Sequence, residues 1–277
     1  MKIRNVAHRG LWNAAVPQNT LEAFRAAWAA GATWVETDFH RTAAGQMLCI
    51  HGEGELLAYT GRSDAIASLS REDAASIRLD PVRFSSRSKG AIPPAPAGVE
   101  PPAPGESPFR IPLLEEVLAT VPKHGTLQSE IKGYAPDYPD VFDAAVRAAG
   151  LSEENVVVSS FDFAALADFR ARKPSYRTLL LVGVPKDSET DLIPKIAAAK
   201  EAGFDWFCPG LTDGDRAPTA AELDAVRASG MGLRVYGVNT PEALRTAARI
   251  GAEAFTCNFW RDAFDWAKEV PGLELLA

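Results

Sequence analysis

Cysteine and histidine are both scarce in this sequence of 277 residues, which contains three of the former and four of the latter. Cys49, Cys208 and Cys257 are widely separated and form no CxxC pair. This spacing excludes a disulfide framework and a cysteine-bound zinc site, and it favours a reducing compartment. Four histidines leave little material for a metal site built from several imidazoles.

Positive charge and long apolar runs are also in short supply. The 29 Lys and Arg residues are outnumbered by 36 Asp and Glu residues, and the formal net charge of -7 argues against a nucleic-acid partner. The longest apolar stretches, such as residues 179–184, fall far short of the ~20 residues that span a bilayer. The first ten residues contain no apolar signal-peptide core. We therefore expect a cytoplasmic protein without stable membrane insertion, and we leave its oligomeric state open.

Short β-rich runs alternate with alanine-rich helical stretches along the whole chain. Such alternation predicts a parallel sheet with helices packed on it. Eight runs have the character of buried strands: residues 4–8, 34–38, 127–132, 156–160, 178–182, 204–209, 234–238 and 254–258. Eight is the number that a (β/α)₈ barrel requires, so we predict one TIM-barrel domain over residues 1–277. In the first helix, Asn19 is the predicted N-cap and Glu22 completes a capping box.

A ninth strand-like run at residues 47–51 follows the second strand too closely for a parallel crossover. We predict an antiparallel β-hairpin here, and a turn centred near Ala43 and Ala44 would place His51 opposite Glu36. His40 is expected to face away from that site. An insertion follows, at about residues 52–112, and between residues 80 and 112 it is rich in proline and shows no helical or strand period. This segment is either a passive surface loop or a lid at the catalytic mouth.

Charged residues concentrate where the first three barrel strands end, which is the catalytic face of such a barrel. Glu36 and Asp38 are two apart on one strand and therefore point to the same face. Together with Glu130 they form an oxygen-rich site suited to a hard divalent cation, Mg²⁺ or Ca²⁺, with Mn²⁺ as a further candidate. Arg9 and Lys132 add fixed positive charge for an anionic substrate.

Two histidines and three aromatic residues complete the candidate site. His8 ends the first strand and His51 lies on the hairpin. Imidazoles beside a cation site can serve as general base and general acid because their ordinary pKa lies near neutrality. Three aromatic side chains at or after later strand ends are candidates for lining a substrate pocket: Phe161, Tyr236 and Trp260.

Several motifs resemble those of the glycerophosphodiester phosphodiesterases, which are phospholipase C-like phosphodiesterase barrels. They are AHRG (residues 7–10), PQNTLEAF (17–24), VETD (35–38), CIHG (49–52), IPLLEEVL (111–118), SEIKG (129–133), VVSSFD (157–162) and VYGVNTPE (235–242). Together they extend over essentially the whole chain. The resemblance implies metal binding by Glu36, Asp38 and Glu130, acid–base roles for His8 and His51, and phosphate contacts from Arg9 and Lys132.

The sequence departs from the family pattern at three positions. Gln18 stands where the family usually has glutamate, Gly52 where it usually has aspartate, and Asn258 where aspartate is common. Each change removes a negative charge, whereas the proposed metal ligands and both histidines are retained. The site is therefore expected to be less acidic than in the family, which bears on the substrate and on the rate.

The leading hypothesis is a divalent-metal-dependent enzyme that hydrolyses a glycerophosphodiester to an alcohol and glycerol 3-phosphate. The attacking group is either water or the substrate's own hydroxyl, and the sequence leaves open which histidine is the base. Two alternatives remain. One is the same chemistry on another small diester, such as a sugar phosphodiester or a lysophospholipid. The other is a non-catalytic barrel that only binds phosphate esters.

Overall fold

Eight parallel strands close into a barrel in the computed structural model, which describes residues 1–87, 91–103 and 105–277. The barrel strands are β1 (Lys2–His8), β2 (Trp34–Arg41), β4 (Thr126–Gly133), β5 (Val156–Ser160), β6 (Arg177–Val182), β7 (Trp206–Pro209), β8 (Gly232–Val235) and β9 (Ala254–Cys257). Each pairs in parallel with the next, and β9 pairs with β1 to close the ring. The remaining strands are β3 (Met47–Cys49) and β10 (Glu274–Leu276), which pair with β2 and β1. The predicted TIM barrel is confirmed.

Helices surround the barrel and bury their apolar faces against the outer side of the strands. They are α1 (Leu21–Ala29), α5 (Leu114–Leu118), α6 (Tyr138–Ala148), α7 (Phe163–Arg172), α8 (Ile193–Glu201), α9 (Ala220–Ser229), α10 (Pro241–Ile250) and α11 (Asp262–Lys268). Three more, α2 (Glu53–Thr60), α3 (Arg71–Ser76) and α4 (Pro81–Arg87), belong to the insertion. In the described ranges no helix combines the length and apolar character needed to cross a membrane.

The first helix begins one residue later than the sequence indicates. Thr20, not Asn19, is the N-cap, and its hydroxyl accepts a hydrogen bond from the backbone N–H of Ala23. Asn19 adopts a left-handed backbone conformation with φ 56°, which asparagine tolerates better than most residues. The prediction of an Asn19 cap is wrong because this conformation turns its side chain toward the strands, where it contacts Asp38.

The hairpin after β2 is antiparallel, with Phe39 opposite Cys49. Continued to the next residues, this register would place His51 opposite Thr37, so the predicted pairing of His51 with Glu36 is wrong by one residue. The reason is the turn, which contains three residues between Thr42 and Gln46 and ends with Gly45 at φ 92°. A glycine in this conformation is typical of a three-residue hairpin loop.

The insertion forms a small packed unit with its own apolar cluster. Leu48 and Ile50 of the barrel hairpin meet side chains from the insertion helices and from the chain leading to α5, among them Leu56, Tyr59 and Phe109. Part of the proline-rich segment is helical, since α4 lies within it, so the expectation that no periodic structure survives there is wrong for residues 81–87. Residues 88–90 and 104 of that segment lie outside the described residues.

The amino-terminal end of the barrel, where the strands begin, is closed by a stack of aromatic rings around a buried arginine. The guanidinium carbon of Arg234 lies 4.1 Å from the ring centres of both Trp34 and Trp206. Its Nη1 donates to Oε1 of Gln128, at 3.2 Å. Cation–π contacts of this kind are strongest where water is excluded. Gln128 also lines the cavity at the carboxyl-terminal end of the barrel, so the stack lies directly beneath that cavity.

Candidate active site

Three carboxylates converge at the carboxyl ends of β2 and β4. The parallel register sets Asp38 beside Glu130, and the period of two along β2 puts Glu36 on the same face as Asp38. All three are buried, with exposed fractions of 5% or less. One oxygen from each can be chosen so that all lie within 4.8 Å of one another. The sequence thus placed these three side chains together correctly.

Two cations flank this carboxylate cluster. Arg9 Nε lies 3.0 Å from Oδ2 of Asp38, and Lys132 Nζ lies 2.7 Å from Oε1 of Glu130 and 3.6 Å from Oδ1 of Asp38. Arg9 adopts φ 58°, and its backbone N–H donates to the carbonyl oxygen of Glu36. This unusual backbone turn at the end of β1 directs the guanidinium across the barrel mouth instead of along the strand.

His8 and His51 enter the same pocket from different elements. His8 ends β1, its Nε2 lies 3.7 Å from Oε2 of Glu36, and its Nδ1 hydrogen-bonds to the Oδ1 of Asn258 at 2.5 Å. His51 lies just beyond β3, at the start of the insertion. Burial, reinforced by the positive charge of Arg9, lowers the pKa of both imidazoles to about 3.

The pKa values of the three carboxyl groups are shifted in different directions. Burial alone would raise the pKa of the Asp38 carboxyl, but Arg9, His51 and Lys132 hold that pKa well below its usual range. Burial and the neighbouring charge of Asp38 raise the pKa of Glu36 and of Glu130. Asp38 is therefore the permanent anion of the group, while the other two carry protons more readily than ordinary glutamates.

This donor set fits a hard divalent cation. The three ligands are all carboxylate oxygens, which Mg²⁺ and Ca²⁺ prefer, and they are crowded closely enough to repel one another. The Oδ1 atom of Asp38 is buried without a hydrogen-bond partner in the described structure. A cation at this position would relieve both the repulsion and the unsatisfied oxygen.

Cation binding is expected to release protons. The raised pKa values of Glu36 and Glu130 mean that the free protein holds protons there that a cation must displace. The apparent affinity should therefore fall as the pH is lowered through those pKa values. Titration calorimetry at pH 6 in buffers of different ionisation enthalpy should give different heats. Identical heats in all buffers would contradict this expectation, and Glu130→Gln should release fewer protons than the wild type.

The pocket above the carboxylates has a volume of about 220 Å³. Phe161 and Tyr236 line it, as expected, and their rings meet edge to face with centres 5.4 Å apart. Lys132 Nζ lies 5.6 Å from the centre of the Phe161 ring. Trp260 does not join them, because it is buried outside this pocket and its indole N–H donates to the carbonyl oxygen of Asn5.

Some residues of the site were not identified from the sequence. Asn19 donates from Nδ2 to Oδ2 of Asp38, at 2.9 Å, and accepts from the hydroxyl of Thr37. His40, expected to face away, lies with Nε2 3.2 Å from the carbonyl oxygen of His51. Side chains two apart on a strand share a face, so the position of His40 relative to Asp38 was the signal that should have indicated this contact.

Comparisons with known proteins agree with this geometry. The profile of the Glycerophosphoryl diester phosphodiesterase family matches residues 8–261. A protein named glycerophosphodiester phosphodiesterase from Caldanaerobacter subterraneus subsp. tengcongensis is 28% identical over 193 residues, which cover 65% of this chain and 67% of that protein.

Solved structures share the barrel. One from Silicibacter pomeroyi has a TM-score of 0.75 at 21% identity and covers 95% of this chain and 92% of its own. Another is an Oleispira antarctica phosphodiesterase in complex with the product sn-glycerol-3-phosphate, with a TM-score of 0.72, 16% identity and 96% coverage of each chain. The family profile spans the barrel from His8 to the residues after β9 and includes all three carboxylates, both cations and both histidines. This chain belongs to the glycerophosphoryl diester phosphodiesterase family.

Proposed function

We propose that this chain hydrolyses a glycerophosphodiester to an alcohol and glycerol 3-phosphate, with one divalent cation, Mg²⁺ or Ca²⁺, bound by Glu36, Asp38 and Glu130. The observation that carries the proposal is a pocket lined by Glu36, Glu130, two basic side chains and two histidines, with Asp38 in the same carboxylate cluster. A site that only bound phosphate esters would need the positive charges of Arg9 and Lys132 but would not need two histidines. When bound, the divalent cation supplies charge that polarises the phosphoryl group.

Arg9 and Lys132 would hold the phosphoryl oxygens. Each already has a carboxylate within 3.0 Å that fixes its side chain, so neither needs to be ordered by the substrate. Their positive charge lies in a buried pocket, where it stabilises the charge that develops on phosphorus-bound oxygens more strongly than in water. The planar guanidinium can donate two hydrogen bonds to one phosphoryl group.

His8 and His51 would transfer the protons. One imidazole accepts the proton of the attacking hydroxyl as its oxygen bonds to phosphorus. The other donates a proton to the oxygen of the leaving alcohol as its bond to phosphorus breaks. Their lowered pKa values leave both imidazoles neutral in the free protein, so the negative charge of the bound substrate must favour protonation of the imidazole that acts as donor.

Phe161 and Tyr236 would contact the non-reacting part of the diester. Both line the pocket, and Phe161 is 43% exposed, which leaves its ring available to a ligand. A cytoplasmic location remains part of the proposal, and all three cysteines are buried and unpaired, as expected in a reducing compartment.

The proposal is tested by turnover of a panel of diesters. The purified protein would be assayed with glycerophosphodiesters of different alcohols, with a sugar phosphodiester and with a lysophospholipid, each with Mg²⁺, Ca²⁺, Mn²⁺ or excess chelator. We expect release of glycerol 3-phosphate that requires the cation. Full activity in chelator, or no turnover of any glycerophosphodiester with any cation, would overturn the proposal.

The proline-rich segment is proposed to act as a lid beside this mouth. The carbonyl oxygen of Pro93 accepts a hydrogen bond from the backbone N–H of Ala14, on the loop after β1. Pro93 to Pro96 line a cavity of about 530 Å³ that also includes Asn258, the partner of His8. The segment therefore reaches the catalytic end of the barrel from the insertion.

Replacement of residues 93–97 by five glycine and serine residues is expected to change KM, or the ranking of diesters, severalfold. Contacts to the alcohol portion would be lost. Stability should fall modestly, because loss of three prolines increases the freedom of the unfolded chain. The same replacement at residues 99–103, which line none of these cavities, serves as the control. Unchanged kinetics over the whole panel would show that the segment is a passive loop.

A further inference from the structure

Glu55 is a buried carboxylate to which the mechanism above gives no part. It lies in the first turn of α2 and is 6% exposed, whereas Glu53 in the same turn is exposed. Its side chain does not line the catalytic pocket. Burial of an ionised carboxylate is costly unless charges or hydrogen bonds compensate for it, so the groups around Glu55 indicate what it does.

The first compensating group is the backbone of His51. Oε2 of Glu55 accepts the N–H of His51 at 2.5 Å, and Nε2 of His40 lies 3.2 Å from the carbonyl oxygen of the same residue. The buried Glu55 and the half-buried His40 thus hold both polar backbone atoms of His51. The imidazole of His51 has no hydrogen-bond partner within the described ranges, so the described hydrogen bonds position this residue through its backbone.

The second compensating group is Arg9. Burial raises the pKa of Glu55 to about 7, opposed by the positive charge of Arg9 and by the His51 N–H. The negative charge of Glu55 in turn helps to raise the pKa of Arg9, as that of Asp38 does. The guanidinium also donates from Nη1 to Oε1 of Gln18 at 3.3 Å, and the backbone N–H of Gln18 donates to the hydroxyl of Tyr59 on α2. Gln18 therefore links Arg9 to helix α2 by hydrogen bonds, so the helix supports the position of the arginine as well as that of the histidine.

We propose that Glu55 is a positioning residue for the phosphodiesterase reaction, holding the backbone of His51 and balancing the charge of Arg9. The inference rests on the proposed function. Gln18, which contacts Arg9, and Gly52, which follows His51, carry no charge. Glu55 supplies one buried carboxylate near both Arg9 and the backbone of His51. It projects from helix α2, which begins directly after Gly52.

The test compares four variants with the wild type. Glu55→Ala removes the hydrogen bond and the charge and is expected to lower kcat about 10²-fold, the loss that follows a displacement of about 1 Å in a reacting group. Glu55→Gln keeps an acceptor for the His51 N–H and should lose about tenfold. Gln18→Glu combined with Glu55→Gln returns a carboxylate to Arg9 and should recover most of that loss. Glu53→Gln, with the same change of charge two residues away, should have wild-type kcat.

A spectroscopic measurement separates this proposal from the proposed function. The amide proton of His51 should resonate far downfield in a ¹H–¹⁵N spectrum because a carboxylate accepts it, and it should move upfield in Glu55→Gln but not in Glu53→Gln. This readout needs no turnover. Wild-type kcat per folded molecule in Glu55→Ala, an unmoved His51 amide in Glu55→Gln, or no recovery in the double variant would each overturn the proposal. Absence of turnover in the wild type, with the amide shift as expected, would overturn only the proposed function.

Discussion

Alanine at His8 or at His51 is expected to lower kcat by about 10²–10⁴-fold, the range for loss of a general acid or base. The two imidazoles face one pocket, and in the described structure no other histidine lines it. The double variant should lose much less than the product of the single losses, because groups that act as a unit are non-additive. Steady-state kinetics on the best diester, at saturating cation, would measure all three effects.

The matched control is His124→Ala, since His124 is exposed and lies before β4, away from the catalytic end. It should retain wild-type kcat and KM. If either His8→Ala or His51→Ala turned over at the wild-type rate, that histidine would have no part in the mechanism. Full additivity in the double variant would argue that the two residues act in separate steps.

Replacement of Asp38 by asparagine is expected to have an effect of about 10³-fold or more on kcat/KM, since a catalytic cation contributes several kcal/mol and each 1.36 kcal/mol is tenfold in rate. Asp38 is the carboxylate held ionised by Arg9 and Lys132, so its loss removes the one permanent anion from the ligand set. Cation binding would be followed by calorimetry and by the rise in Tm that a bound ligand produces.

Asp224→Asn provides the comparison for that variant. Asp224 is 74% exposed on α9 and pairs with Arg227, far in sequence from the cluster. The Asp224→Asn variant should bind the cation as the wild type does and show the same increase in Tm. An Asp38→Asn protein that still gained stability from Mg²⁺ or Ca²⁺, or that kept its turnover, would contradict the assignment of Asp38 as a ligand.

Much of the barrel could be predicted from the sequence because its signals are local. The eight strands are short apolar runs, and the spacing of Glu36 and Asp38 fixes a shared face regardless of what surrounds them. Positions set by tertiary contacts could not be predicted in this way. Asn19 resembles an ordinary N-cap until its left-handed backbone turns it to Asp38.

Glu55 illustrates the same limit. Acidic residues in the first turn of a helix are common because they interact favourably with its N-terminal dipole, so Glu53 and Glu55 look alike in sequence. Only packing of the insertion against the hairpin buries one and exposes the other. Trp260 is the converse case, because its place after β9 suggests the pocket, whereas its indole N–H binds Asn5 at the closing seam between β9 and β1.

The pocket lining divides along the chain at the end of β4. Every charged group of the site lies before that point, between His8 and Lys132, whereas the lining residues after it are uncharged, from Phe161 to Thr256. In the proposed function, the residues assigned to phosphate binding and proton transfer therefore precede the end of β4, whereas Phe161 and Tyr236, assigned to the alcohol, follow it, and Asn258 is hydrogen-bonded back to His8. We therefore expect substitutions among the uncharged lining residues after β4 to change the preferred alcohol while the charged groups are kept, provided that Asn258, the partner of His8, is left unchanged.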